Sequence, residues 1–170
     1  MTAEVLVIAV LPALLALAAG WDLASYTIPN WLQAALVAAF AVFLLAAGMT
    51  PAMAGWHLLA GFVGLVAGFT LFALGFIGGG DAKLFAAVAL WLGLDLDLMS
   101  YVLVASILGG ALTLALLALR KLPLPALLTR QSWLVRLHDE RAGIPYGVAL
   151  SAGAFLILPQ TEIFRLAAGA

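Results

Sequence analysis

Apolar residues run almost unbroken along this chain, and the interruptions mark out its elements. Between Asp22 and Asp81 lie 58 residues without an Asp, Glu, Lys or Arg. A helix needs about 20 apolar residues to cross the hydrocarbon core of a bilayer, so this stretch holds two crossings. Breaks fall at Ile28-Pro29-Asn30 and at Gly48-Met49-Thr50-Pro51, where Pro and Asn stop helices. The second span is therefore expected at 31–47 and the third at 55–76. The opening stretch is uncharged from Val5 to Trp21. It lacks the basic region that begins a signal peptide and outruns such a peptide's apolar stretch, so it reads as a retained first span over 5–21. Spans five (98–119) and six (145–160) are equally plain. Segment 81–94 is the short one: its 14 residues make about 21 Å of helix, less than the ~30 Å core. It crosses only if Asp81 and Lys83 sit in a wet cavity below the headgroups, with Lys83 reaching outward.

The pattern predicts an all-α, polytopic integral membrane protein: one membrane-embedded domain over 1–170, with six transmembrane helices and one interfacial helical loop. Composition agrees. Only 9% of the residues are charged, against about a quarter in a soluble domain, and mean hydropathy is +1.22. The bilayer is thus the first partner. A net charge of −1 lacks the basic footprint of a nucleic-acid binder. With no cysteine, disulfides, thiolate zinc sites, iron–sulfur clusters and cysteine nucleophiles are excluded. His57 and His138 are too far apart in sequence to suggest a metal site and read as loop or interface residues.

Six spans place the loops near 22–30, 78–81 and 120–143 on one side, and both termini on the other. Five of the seven Lys/Arg residues (Arg120, Lys121, Arg130, Arg136, Arg141) fall in the loop 120–143. The positive-inside rule makes that side cytoplasmic, so Asp22 and Asp81 open toward the cytoplasm together. Leu127, Leu128, Trp133, Leu134 and Leu137 alternate with the arginines, which suggests a helix lying in the headgroup plane. Such a loop anchors topology; a substrate-docking surface is the sharper alternative.

Ionisable residues at the edge of spans are costly and point to function. Asp81 opens its helix, where the dipole favours an acid; Asp22 ends span one, where the dipole disfavours it. Two acids at one face repel unless they share a proton or hold a cation. In aspartic proteases one carboxylate takes a proton from water while the other donates to the carbonyl. In a cation pathway both stay ionised, and beyond Asn30, Ser25 and Thr27 the loops offer few further oxygens. Gly78, Gly79 and Gly80 before Asp81 would leave main chain bare for an extended peptide to bind as an added strand. That favours a peptide hydrolase. Asn30 also reads as the cap of the second helix or a substrate contact, and Gly143 to Gly147 as a close approach of the last span to its neighbours.

The segment Gly78-Gly79-Gly80-Asp81 fits the GxGD signature of membrane aspartic proteases. Its extended form GGGDAKL, preceded by DLASYTIPN from Asp22 to Asn30 and followed by GIPYGVALSAG at 143–153, closely resembles the prepilin peptidase, or type IV leader peptidase, family. The resemblance implies a bacterial inner-membrane endopeptidase that cuts the short basic leader from pilin precursors at the cytoplasmic face, without a cofactor. Asp22 and Asp81 match the catalytic pair. The chain has neither the cysteine cluster nor the methylating region of larger members and resembles the short form associated with Flp-type (tight-adherence) pili, so no N-methyltransferase activity is expected. Basic residues that many relatives carry between the first Asp and the IPN motif are replaced here by Leu-Ala-Ser-Tyr-Thr. The helix dipole at Asp81 makes it the expected base and Asp22 the proton donor. The alternative from another class is a small cation-coupled transporter or channel component using the two aspartates. A non-catalytic assembly subunit and a presenilin-like protease cutting inside helices are further alternatives.

Overall fold

The computed structural model describes residues 2–125 and 128–168, and every regular element among them is helical. Helix α1 covers Thr2–Ser25, α2 Asn30–Ala46, α3 Pro51–Ala73, α4 Gly79–Leu92 and α5 Leu96–Arg120. After a 3₁₀ turn at Leu128–Arg130 come α6, Ser132–His138, and α7, Tyr146–Ile157. A further 3₁₀ turn, Leu158–Gln160, leads into α8, Glu162–Ala168. The breaks follow local chemistry. Within α1, Leu6–Val10 is a π-turn just before Pro12, whose missing N–H cannot join the regular ladder. Tyr26 ends α1 in the left-handed region (φ 56°), its N–H donating to the Asp22 carbonyl. Thr50 caps α3 by accepting from the Met53 amide, with Pro51 in the first turn. Gly93 turns the chain at φ 85°, and Asp95 caps α5 by accepting from Asp97 and Leu98.

Helices α1, α3 and α5 are long and apolar enough to cross a membrane. The pair Tyr146–Gln160 and Glu162–Ala168, bent by 54°, makes a fourth candidate. α2 is apolar but shorter, 17 residues, and α4 has 14. The helices pack around one shared core of buried side chains. Their outer faces carry exposed large side chains such as Phe62, Phe69, Leu103 and Leu114, as lipid-facing helices do, and the chain is a multi-pass helical membrane protein. The expected weakness of 81–94 has a physical answer. Ten of the 14 residues of α4 are buried inside the protein, so most of its length packs on other helices, and the length needed by a fully lipid-exposed helix does not apply to it.

Small residues hold the centre together. Gly61, Gly64 and Gly68 of α3 lie against α4: a Cβ on Gly64 would meet Ala89 Cβ at 2.8 Å, and one on Gly68 the Ala82 carbonyl at 2.9 Å. Gly153 of α7 approaches Ala105 of α5 in the same way. Such contacts replace the hydrophobic drive that lipid removes. Toward the far end from the aspartates, Trp91 packs against Phe40 and Phe43 and donates from Nε1 to the Leu36 carbonyl at 3.0 Å. Of the two readings for His57, loop or interface, the structure gives the interface: it is buried in α3, its Nδ1 2.9 Å from the Leu90 carbonyl of α4. The remaining packing matters for function: α1 and α4 hardly touch each other, whereas α7 packs on both.

The basic loop lies at the aspartate end. Arg120 is buried there, donating to the Leu137 and Gly143 carbonyls, and Arg136 reaches the Ala24 carbonyl at 3.5 Å. A helix is present, as expected, at Ser132–His138, with Trp133 and Val135 exposed. Leu127 lies outside the described residues.

Candidate active site

Three helix ends meet around the two aspartates: the last turn of α1, the first turn of α4 and the first turn of α7. Asp22 and Asp81 are both buried, line one cavity of about 280 Å³ and are close enough for their charges to interact. That volume has room for roughly nine waters at ~30 Å³ each. Asp22 Oδ2 accepts from the Gly147 amide at 2.7 Å, and the amide of Val148 faces the same carboxylate. Asp81 Oδ2 accepts from the Gly78 amide at 3.1 Å, while the Gly147 amide faces Asp81 as well. The Oδ1 atom of Asp81 is buried without a hydrogen-bond partner in the described protein.

Helix dipoles were expected to favour an anion at Asp81 alone, because Asp22 ends its own helix. The N-terminus of α7 supplies Asp22 with the same kind of environment, so the dipole of α4 is not the only one at the pair. Sequence reading had treated Gly147 as a packing residue. A Cβ there would stand 2.8 Å from Asp22 Oδ2 and 2.8 Å from Ile28 Cδ1, so only glycine lets the α7 amide approach. Gly143, expected to act likewise, has open space around its Cα; its contribution is the carbonyl that Arg120 holds.

The glycines before Asp81 are also used differently from expectation. They do not form an extended edge. Gly78 is the cap of α4 at φ −73°, and Gly79 and Gly80 are its first residues. What their size permits is close approach: a Cβ on Gly79 would meet the Phe72 ring, one on Gly80 would stand 3.3 Å from Ile28 Cβ, and one on Gly78 3.0 Å from Asp81 Oδ2. Ile28 is thereby wedged between Gly80 and Gly147, which gives the Ile-Pro-Asn stretch a structural reason. Pro29, not Asn30, is the cap of α2. Asn30 instead accepts from the Lys83 ammonium at 2.8 Å, and both line the aspartate cavity with all three glycines. Lys83 is therefore tied across to α2 as well as exposed. Two further residues escaped the sequence reading. Gln33 donates from Nε2 to the Gly80 carbonyl at 2.9 Å, fixing the glycine turn from α2. Tyr26 lines the cavity with its hydroxyl buried beside Arg120. The spacing of Gln33, one turn after Asn30, is the only sequence signal that could have found it.

Among the described residues, no group of three or more His, Asp or Glu is arranged to hold a metal ion. The fold and the site together define a helical membrane protein with a two-carboxylate centre at one end. A family model described as the type IV leader peptidase family matches residues 9–114; the chain belongs to that family and is by membership a protease. The match includes both aspartates and ends within α5, before the glycine of α7 that joins them. No curated protein and no solved structure matches the chain.

Proposed function

We propose that the protein is an aspartic endopeptidase of the bacterial inner membrane, with Asp22 and Asp81 as its catalytic pair. It removes the basic leader of prepilin-like precursors at the cytoplasmic face. The observation that carries this reading is that the two carboxylates line one cavity, with the Gly147 amide held on Asp22 beside it. Two carboxylates so placed keep one proton between them. The ionised one takes a proton from water as its oxygen attacks the scissile carbonyl carbon, and the protonated one donates to the carbonyl oxygen. Collapse of the tetrahedral adduct passes a proton to the departing nitrogen, with no covalent enzyme intermediate. The pair acts as one titrating unit, so neither residue owns either role.

The remaining parts of the reading follow. Six crossings put the basic loop and the aspartates on the cytoplasmic side; α4 crosses inside the protein, not against lipid. Gly78, Gly79, Gly80 and Asn30 line the cavity that receives the peptide. Methyl transfer to the new N-terminus is not part of the proposed activity, in keeping with a sequence that has no cysteine. The test uses purified protein in liposomes with a precursor of basic leader and apolar helix, read by mass spectrometry. One cut between leader and helix is expected. A cut inside the helix would favour a presenilin-like activity, and ion flux without any cut would favour the transporter.

A further inference from the structure

Beside the aspartate cavity lies a larger one, an open groove of about 660 Å³ between α2 and α3, floored by α4. It exists because α2 and α3 both pack on α4 and hardly on each other. Small residues recur in its lining at helical spacing, Ala34, Ala38 and Ala41 on α2, Gly61 on α3, Ala86 and Ala87 on α4, beside the larger Val37, Leu58, Phe62 and Leu65. In lipid, small residues mark surfaces where another helix backbone approaches. On α5 the exposed Leu103, Ile107 and Leu114 lie outside the groove.

Two observations fix the occupant and its direction. The groove and the aspartate cavity share Asn30 and Lys83, so a helix lying in the groove ends at the carboxylates. At that end sits Gln33, only 6% exposed, with Nε2 committed to Gly80 and Oε1 buried without a partner. A buried acceptor left unpaired is costly, and the first turn of any helix has four N–H donors without partners. The two needs are complementary.

Building on the peptidase reading above, we infer that this groove seats the apolar helix of the precursor, its N-terminal turn at Gln33. The stretch from Asn30 to Ala41 supports about 17 Å of that helix, roughly three turns. The peptide bond just ahead of the first turn then falls into the aspartate cavity. The cut position is set by where the substrate's helix begins, as well as by the leader's own residues.

The chain has no cysteine of its own, which makes the test direct. Ala38→Cys in the groove and Ile107→Cys on the outer face of α5 are each placed in an Asp81→Asn background. Each is reconstituted with a probe precursor carrying a basic leader, an apolar helix of about 20 residues and one cysteine within the helix's first three turns. Oxidation is expected to join the precursor to Ala38→Cys and not to Ile107→Cys, with linking positions on the probe recurring every three or four residues. Adducts at Ile107→Cys alone, peptidase dimers through Ala38→Cys without a precursor adduct, or no adducts at all overturn the inference. This readout needs no turnover, so cleavage of the same precursor by the unsubstituted protein tests the peptidase reading separately. In the active protein, Ala38→Trp is expected to raise KM for the precursor at least tenfold and leave kcat unchanged. Ile107→Trp changes neither. An unaltered KM in Ala38→Trp, or an equal rise in both, also overturns it.

Discussion

Gly147 brings the α7 backbone against the carboxylate of α1, and the space a methyl group would need is already taken by Asp22 Oδ2 and Ile28 Cδ1. Overpacking of this kind costs about 1–3 kcal/mol. Spent on displacing a catalytic group, that corresponds to roughly a tenfold to hundredfold loss of rate. Gly147→Ala is therefore expected to lower kcat for precursor cleavage by about that much, while the purified protein keeps its helical circular dichroism. Cleavage at the unsubstituted rate would show that the α7 amide does not position Asp22. The same contact explains why the residue was illegible in the sequence. Its partner lies 125 positions away, and no local pattern distinguishes a glycine facing a carboxylate from one facing another helix. Asp22 and Asp81 were legible because a charge within so apolar a stretch is conspicuous by itself. Gln33 and Tyr26 were not, since an amide or phenol at a helix end is ordinary.

Element boundaries were read well wherever proline or a polar cap interrupts the apolar run. The breaks at Pro29 and Pro51 separate α1 from α2 and α2 from α3 as expected. The glycine run before Asp81 misled in the opposite direction: glycine's freedom suggested exposed, extended chain, but the structure uses its small size inside a helical turn. Whether a glycine serves flexibility or proximity depends on its neighbours in space. The α3–α4 pair allows that distinction to be measured. Gly68→Val places carbon against the Ala82 carbonyl and should destabilise the protein by about 1–3 kcal/mol, seen as a lower Tm in detergent. Gly110, on α5, has nothing within 4 Å of its Cβ position, and Gly110→Ala should leave Tm unchanged or slightly raised. Equal effects at the two positions would contradict close packing of α3 on α4.

At the scale of the whole molecule, two separate halves bring the acids together. α4, packed on α3, carries Asp81, α1 carries Asp22, and α7 packs on both α1 and α4 while presenting its first amides to the pair. The basic loop, clamped by Arg120 to the Leu137 and Gly143 carbonyls, lies at the same end. A reporter fused after Lys121 should therefore report a cytoplasmic location; a periplasmic signal would place the aspartates on the other side of the membrane. The central claim is that Asp22 and Asp81 act on one shared water. The most direct test is single-turnover cleavage of a leader-bearing precursor by Asp22→Asn and Asp81→Asn, purified at the same yield and helicity as the parent. Each change should lower the rate by at least about a hundredfold, the scale of lost acid–base catalysis, and the double change should cost little more than either alone, as expected for residues that work as a unit. Near-parental cleavage by either single variant would contradict the account.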